Sequence, residues 1–236
     1  MKKLIIIAVI ALLVQQGYSQ MYTVKDSTEY PFWVYLPDTY TDSSQNFPLF
    51  IFLHGRSLCG TDLNRVLRYG PLYEIKRGMN IPFVIVAPQL KPNSSWNPDK
   101  VDAVVNYMLA HYTIDSNKIS VSGMSLGGYG AFDYAGKYHK KLAAASIVCG
   151  GGNTNYACEV KDLPIWLFHG KLDKAVPFSE STKMLEAVQN CGGYYINLNE
   201  YPNWGHGQLI RVYRMPELYE WLLRQERIAR PHQEEE

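Results

Sequence analysis

Charge of one sign is what this 236-residue chain lacks most plainly: 23 basic residues face 22 acidic ones, for a formal net charge of +1. Without a basic excess there is no electrostatic footprint for nucleic acid or an anionic membrane surface. Cysteine is sparse as well, with Cys59, Cys149, Cys158 and Cys191 and no C-x-x-C pair among them. That excludes the common zinc spacings and a disulfide-dense mini-domain. Whether the four form bridges or stay as buried thiols is open, because spacing alone cannot choose a pairing. Internal repeats and long linkers are missing too, so one domain is expected. A hydrophobic content of 47% with 19% charged residues excludes a disordered or fibrous chain. What remains is a folded chain with a sizeable core.

No apolar run is long enough to span a bilayer comfortably. The longest, Leu4 to Val14, has eleven residues and would reach about 16 Å as a helix, about half the hydrocarbon thickness. Lys2 and Lys3 precede it, and small residues Gly17 and Ser19 follow. This is the pattern of a secretory signal peptide over residues 1–19, cut near Ser19–Gln20, with a domain from 20 to 236. Export to the periplasm or medium is expected, with no membrane anchor in the mature chain.

After that leader, strand-like runs alternate with segments of helical period, the pattern of a mostly parallel sheet covered by helices. Phe32 to Leu36, Leu49 to Leu53, Phe83 to Ala87, Ile119 to Ser122, Ala143 to Val148, Ile165 to Phe168 and, more weakly, Tyr194 to Tyr201 read as strands. Val101, Val104, Val105 and Met108 share one helical face behind Asn97 as N-cap and Pro98 in the first turn. Further helices carry Tyr129 to Lys137, then Met184, Leu185 and Val188, then Leu218, Trp221 and Leu222. The tail from Arg230 to Glu236 reads as solvated.

Gly123-Met124-Ser125-Leu126-Gly127 follows one of these strands and opens a helix. G-x-S-x-G in that context is a nucleophile elbow: the glycines let the chain turn tightly and leave the serine hydroxyl exposed above the sheet. The Leu126 N–H, at the helix start, is placed to stabilise an oxyanion. A serine needs a base, and His206 in Trp204-Gly205-His206-Gly207 lies after the last strand, where the order nucleophile, acid, histidine requires it. Asp173 follows the strand Ile165 to Phe168 and is the acid expected to orient the imidazole, with Glu200 in reserve. The second oxyanion donor is expected in His54-Gly55-Arg56-Ser57, from the N–H of Arg56 or alternatively Ser57, with His54 bracing the loop. No cofactor and no metal are called for.

Taken together, Leu53-His54-Gly55, Gly123-x-Ser125-x-Gly127-Gly128, Gly170-x-x-Asp173-x-x-Val176-Pro177 and Gly205-His206 resemble the α/β-hydrolase superfamily. Within it the chain is similar to small bacterial carboxylesterases of the phospholipase/carboxylesterase, prolyl-oligopeptidase-type and feruloyl or acetylxylan esterase group. The resemblance runs from Phe32 to Leu223 and implies a single α/β-hydrolase domain in which Ser125, Asp173 and His206 act as nucleophile, acid and base. Arg56 and Cys59 enlarge the oxyanion loop relative to that pattern.

Only fourteen residues, Gly150 to Leu163, separate the sixth strand from the acid-bearing one, too few for a lid. An uncapped site on an exported protein suits a small-molecule or polysaccharide ester, with acetyl or hydroxycinnamoyl groups on carbohydrate as the expected acyl class. Trp96, Tyr129 and Trp204, with Tyr156, fall in or beside the loops around the site and are expected to offer flat surfaces to it. A phospholipase, thioesterase or peptidase on the same triad is the alternative within the enzyme class. A non-catalytic carbohydrate-binding protein is the alternative outside it.

Overall fold

Continuous apolar runs need cover on both faces, and the chain supplies it by laying helices over each side of one sheet. The computed structural model describes residues 20–40 and 45–227. The leader expected over residues 1–19 and the charged tail lie outside them. Eight strands, β1 (Gln20–Val24), β2 (Phe32–Leu36), β3 (Phe47–Leu53), β4 (Val84–Pro88), β5 (Ile114–Met124), β6 (Ala144–Val148), β7 (Ile165–Gly170) and β8 (Ile196–Tyr201), form a sheet of order β1-β2-β4-β3-β5-β6-β7-β8. The first two pairings are antiparallel and the rest parallel. This is the α/β architecture expected.

Helices α2 (Pro98–His111), α3 (Leu126–Tyr138) and α4 (Ser179–Asn190) cover one face, and α1 (Pro71–Lys76) and α5 (Pro216–Leu223) the other. Each side closes its own apolar layer: Leu49, Ile51, Val104, Phe132 and Met184 on the first, Phe50, Phe52, Leu72, Val212 and Leu218 on the second. The α2 start is as expected, with Asn97 Oδ1 accepting from the N–H groups of Asp99 and Lys100. Strand order reverses at β3, which pairs in parallel with both β4 and β5. In open sheets of this kind the crevice outside the strand ends at such a reversal is where ligands bind. The loops after β3 and β5 meet there.

Candidate active site

At the end of β5 the backbone turns through Ser125, which holds φ +57 and ψ −121. That left-handed conformation is uncommon for a residue with a Cβ and stores strain of order 1 kcal/mol. Its neighbours make room for it. A Cβ on Gly123 would stand 1.9 Å from the Gly127 carbonyl oxygen, and one on Gly127 would stand 1.9 Å from that of Leu53. Both positions of the elbow are closed to any other residue. Ser125 is partly exposed, and its side chain caps none of the helix N–H groups.

Across the crevice the loop after β7 delivers Asp173. Its carboxylate is held on every side: Oδ1 accepts the N–H groups of Ala175 (2.8 Å) and Val176 (2.9 Å), and Oδ2 accepts Nδ1–H of His206 at 2.7 Å. His206 thus carries its proton on Nδ1 and leaves Nε2 as a base. It is the first residue of a 3₁₀ helix, His206–Arg214, where a plain loop was expected. The Trp204 carbonyl accepts from Leu172 N–H, which ties the histidine loop to the acid loop. Glu200, the reserve acid, instead pairs with Lys171 at 2.6 Å. Among the described residues no hydrogen bond joins Ser125 Oγ to His206, whose ring bonds Asp173 instead.

Cys149 links the two halves. It lies at the end of β6, at φ +38, fully buried. Its sulfur, the Asp173 carboxylate and a His206 ring nitrogen lie within 4.8 Å of one another. Burial, reinforced by the Asp173 charge, pushes its thiol pKa far up, against a smaller opposing pull from the Ser125 backbone N–H. These three side chains are the described group with metal-ligand geometry. The carboxylate is already saturated by hydrogen bonds and the thiol resists ionisation, so acid–base pairing suits them better.

The oxyanion side is built on β3. His54 is fully buried, with Nε2 accepting from Leu90 N–H (3.1 Å) and Nδ1–H donating to the Gly55 carbonyl (2.8 Å). Burial drives its pKa down to about 4, so the ring is neutral and braces the loop as expected. Gly55 N–H is taken by the Tyr69 hydroxyl at 2.8 Å. Arg56–Leu58 follow as a short 3₁₀ turn. Among the described residues no backbone carbonyl accepts from the N–H groups of Arg56, Ser57 or Leu126. Both loop candidates, like Leu126, therefore keep an N–H with no backbone acceptor.

The aromatic expectations divide. Trp96 is buried, not a surface for substrate. Its indole N–H donates to the His54 carbonyl (3.1 Å), and its ring packs edge-on against His54 and Tyr30. The polar residues flanking it hid a side chain that locks the oxyanion loop. Trp204 is partly exposed, but Tyr201 stacks on it at 4.0 Å and Arg211 lies over its ring. Tyr129 donates its hydroxyl to Glu180 and stands over Gly151, and Tyr156 packs against Gly136. His139, just past the end of α3, is buried, its Nδ1 at 3.1 Å from the Gly136 carbonyl. Tyr69 went unmarked in the sequence; it, Cys149 and His169 are each brought in from a distant segment.

Comparison with known proteins agrees with this fold. The model of the Dienelactone hydrolase family matches residues 83–215. An esterase of Mycobacterium tuberculosis is 30% identical over 48% of this chain, which spans 27% of that protein's length. The crystal structure of a thermostable esterase superposes with TM-score 0.75 and 30% identity, covering 89% of this chain and 63% of that one. A ferulic acid esterase shares the fold, with TM-score 0.67 and 15% identity over 86% of this chain and 96% of its own.

Proposed function

Since the chain belongs to the Dienelactone hydrolase family, whose relatives here are esterases, we propose that it is a serine carboxylesterase working through an acyl-enzyme on Ser125. The observation that carries this is the Asp173–His206 pair, at 2.7 Å, across the crevice from a serine held in an elbow. His206 Nε2 takes the proton of Ser125 as its oxygen attacks the ester carbonyl carbon. The carbonyl oxygen becomes an oxyanion between Leu126 N–H and the loop donor from Arg56 or Ser57, each worth about 3 to 4 kcal/mol of barrier. The C–O bond to the alcohol then breaks, and the alcohol leaves with the proton from His206. Water repeats the sequence to release the acid.

The other nucleophile in reach is a poor rival. Cys149 is fully buried and its thiol is pushed far above neutral pH, whereas Ser125 is partly exposed. Between β6 and β7 the chain makes only the 3₁₀ turn Thr154–Tyr156 and is tied to the end of α4 by the Cys158–Cys191 disulfide. That open cleft supports bulky alcohols, and acetyl or hydroxycinnamoyl esters of carbohydrate are the proposed substrates. The disulfide also favours an oxidising compartment and hence the export proposed from residues 1–19, which intact-mass analysis of native protein tests by a mature N-terminus near Gln20. Among the described residues no helix is long and apolar enough to cross a membrane.

A fluorophosphonate probe tests the nucleophile. It is expected to label the wild type and Cys149→Ser but not Ser125→Ala. Labelling that survives in Ser125→Ala and vanishes in Cys149→Ser reverses the assignment. A panel of p-nitrophenyl, feruloyl and acetylated-xylan esters then tests the substrate class.

A further inference from the structure

Behind the acid lies a second histidine that the proposed chemistry does not use. His169 ends β7 and is fully buried. Its Nε2 stands 3.1 Å from the Val176 carbonyl and 3.5 Å from Asp173 Oδ2, the oxygen that holds His206. A carbonyl can only accept, so Nε2 carries the proton. Nδ1 is then the acceptor, met at 2.7 Å by the Ser181 hydroxyl from α4, which has the Gly150 carbonyl farther off at 3.2 Å. Burial holds the imidazole below its ordinary pKa, in keeping with a neutral ring.

Val176 closes the arrangement. Its N–H donates to Asp173 Oδ1 while its carbonyl receives His169 Nε2–H. One buried ring therefore grips the turn that supplies the acid's N–H partners and also stands beside the carboxylate oxygen that holds His206. We infer that His169 is a positioning residue for Asp173, its Nε2–H fixing the turn and the carboxylate so that Oδ2 stays aimed at His206 Nδ1. This rests on the esterase reading of Ser125, Asp173 and His206. Geometry of this sort matters because a misplacement of about 1 Å costs on the order of a hundredfold in rate.

Two amide substitutions separate positioning from packing. Asn at 169 can keep the Nδ1 contact with Ser181 but cannot reach the Nε2 position, and Gln can present an N–H there. With p-nitrophenyl acetate, His169→Asn is expected to lower kcat about ten- to a hundredfold with KM within about twofold. His169→Gln is expected to recover most of it. In parallel, the deshielded proton resonance of His206 Nδ1–H, which needs no turnover, is expected to shift in the Asn variant and persist in Gln. Unchanged kcat and resonance in His169→Asn overturn the inference. Equal losses in both variants with an unmoved resonance also overturn it, since that is a packing effect. If the wild type cleaves no ester, the functional reading falls while the resonance still decides the part played by His169.

Discussion

Acid lability in this fold should trace in good part to one histidine under the oxyanion loop. His54 is fully buried, and its pKa falls from 6.5 to about 4 because burial disfavours the imidazolium, against a small opposing pull from the Gly55 carbonyl and with Arg65 adding to the depression. The unfolded chain binds this proton near pH 6.5, the folded chain only near 4. Between those values the unfolded state holds more protons, so stability must rise with pH. The contribution is fully present above pH 6.5 and is lost as pH falls toward 4. At about 1.4 kcal/mol for each tenfold difference in proton affinity, the window is worth about 3 kcal/mol. Urea unfolding at pH steps from 4 to 7 measures it. In His54→Gln, whose side-chain oxygen can accept Leu90 N–H in place of Nε2, the slope should flatten by about that amount. His169, pushed the same way by burial, contributes equally to both proteins and cancels in the difference. Parallel stability curves for wild type and variant over this range would show that His54 is not the group responsible.

Other perturbations act through different parts of the molecule. Ser125→Ala should lower ester hydrolysis on the order of 10³-fold or more while changing stability by less than about 1 kcal/mol; comparable turnover in the variant refutes the proposed nucleophile. Replacing Cys158 and Cys191 by Ser opens a crosslink of sequence separation 33 and should cost about 4 kcal/mol on the chain-entropy model, read from denaturant midpoints. Trp96→Ala should behave as a core truncation, losing about 3 to 5 kcal/mol; a stable variant altered only in substrate choice would return that ring to the binding surface.

How much was legible depends on where each signal lives. The strands β3, β4, β6 and β7 are buried on both faces, and continuous apolar runs announce such strands directly. β1 is an edge strand with an exposed or half-buried pattern, so Gln20 to Val24 carries no comparable run. The first half of β5 is missed for the same reason, since Asp115 to Lys118 is polar and largely exposed. Site residues tied to local backbone demands were readable: glycines bracket Ser125, and Gly170 flags the loop of Asp173 because the chain must pass close to itself there. A Cβ on Gly170 would sit 2.1 Å from the Trp204 carbonyl oxygen. Cys149, Tyr69 and His169 have no such local signature. Their places follow from strand order and from side-chain contacts across tens of residues, such as Tyr69 reaching Gly55. Trp96 was misread for the opposite reason, its neighbours being polar while its ring is not accessible.

The substrate question turns on what is left exposed once Trp96 is turned inward and Trp204 is stacked on Tyr201. At the rim stand Leu172, 57% exposed and zipped by its N–H to the Trp204 carbonyl, and the exposed Arg56 of the oxyanion loop. The short, disulfide-tied β6–β7 segment makes only a 3₁₀ turn, too little chain for a lid. A methylene is worth about 0.8 kcal/mol only where it leaves water, so a lengthening acyl chain should gain little after its first carbons. With p-nitrophenyl esters, kcat/KM should peak at short acyl groups and stay flat or fall toward dodecanoate. Trp204→Ala should leave p-nitrophenyl acetate nearly untouched. If the indole edge meets a sugar, the same change should slow deacetylation of xylan, because only the polymer reaches past the rim. A steep climb in kcat/KM from acetate to dodecanoate, several-fold per pair of carbons, would mean that an apolar trough receives the chain, and a lipase-like substrate would replace the carbohydrate ester.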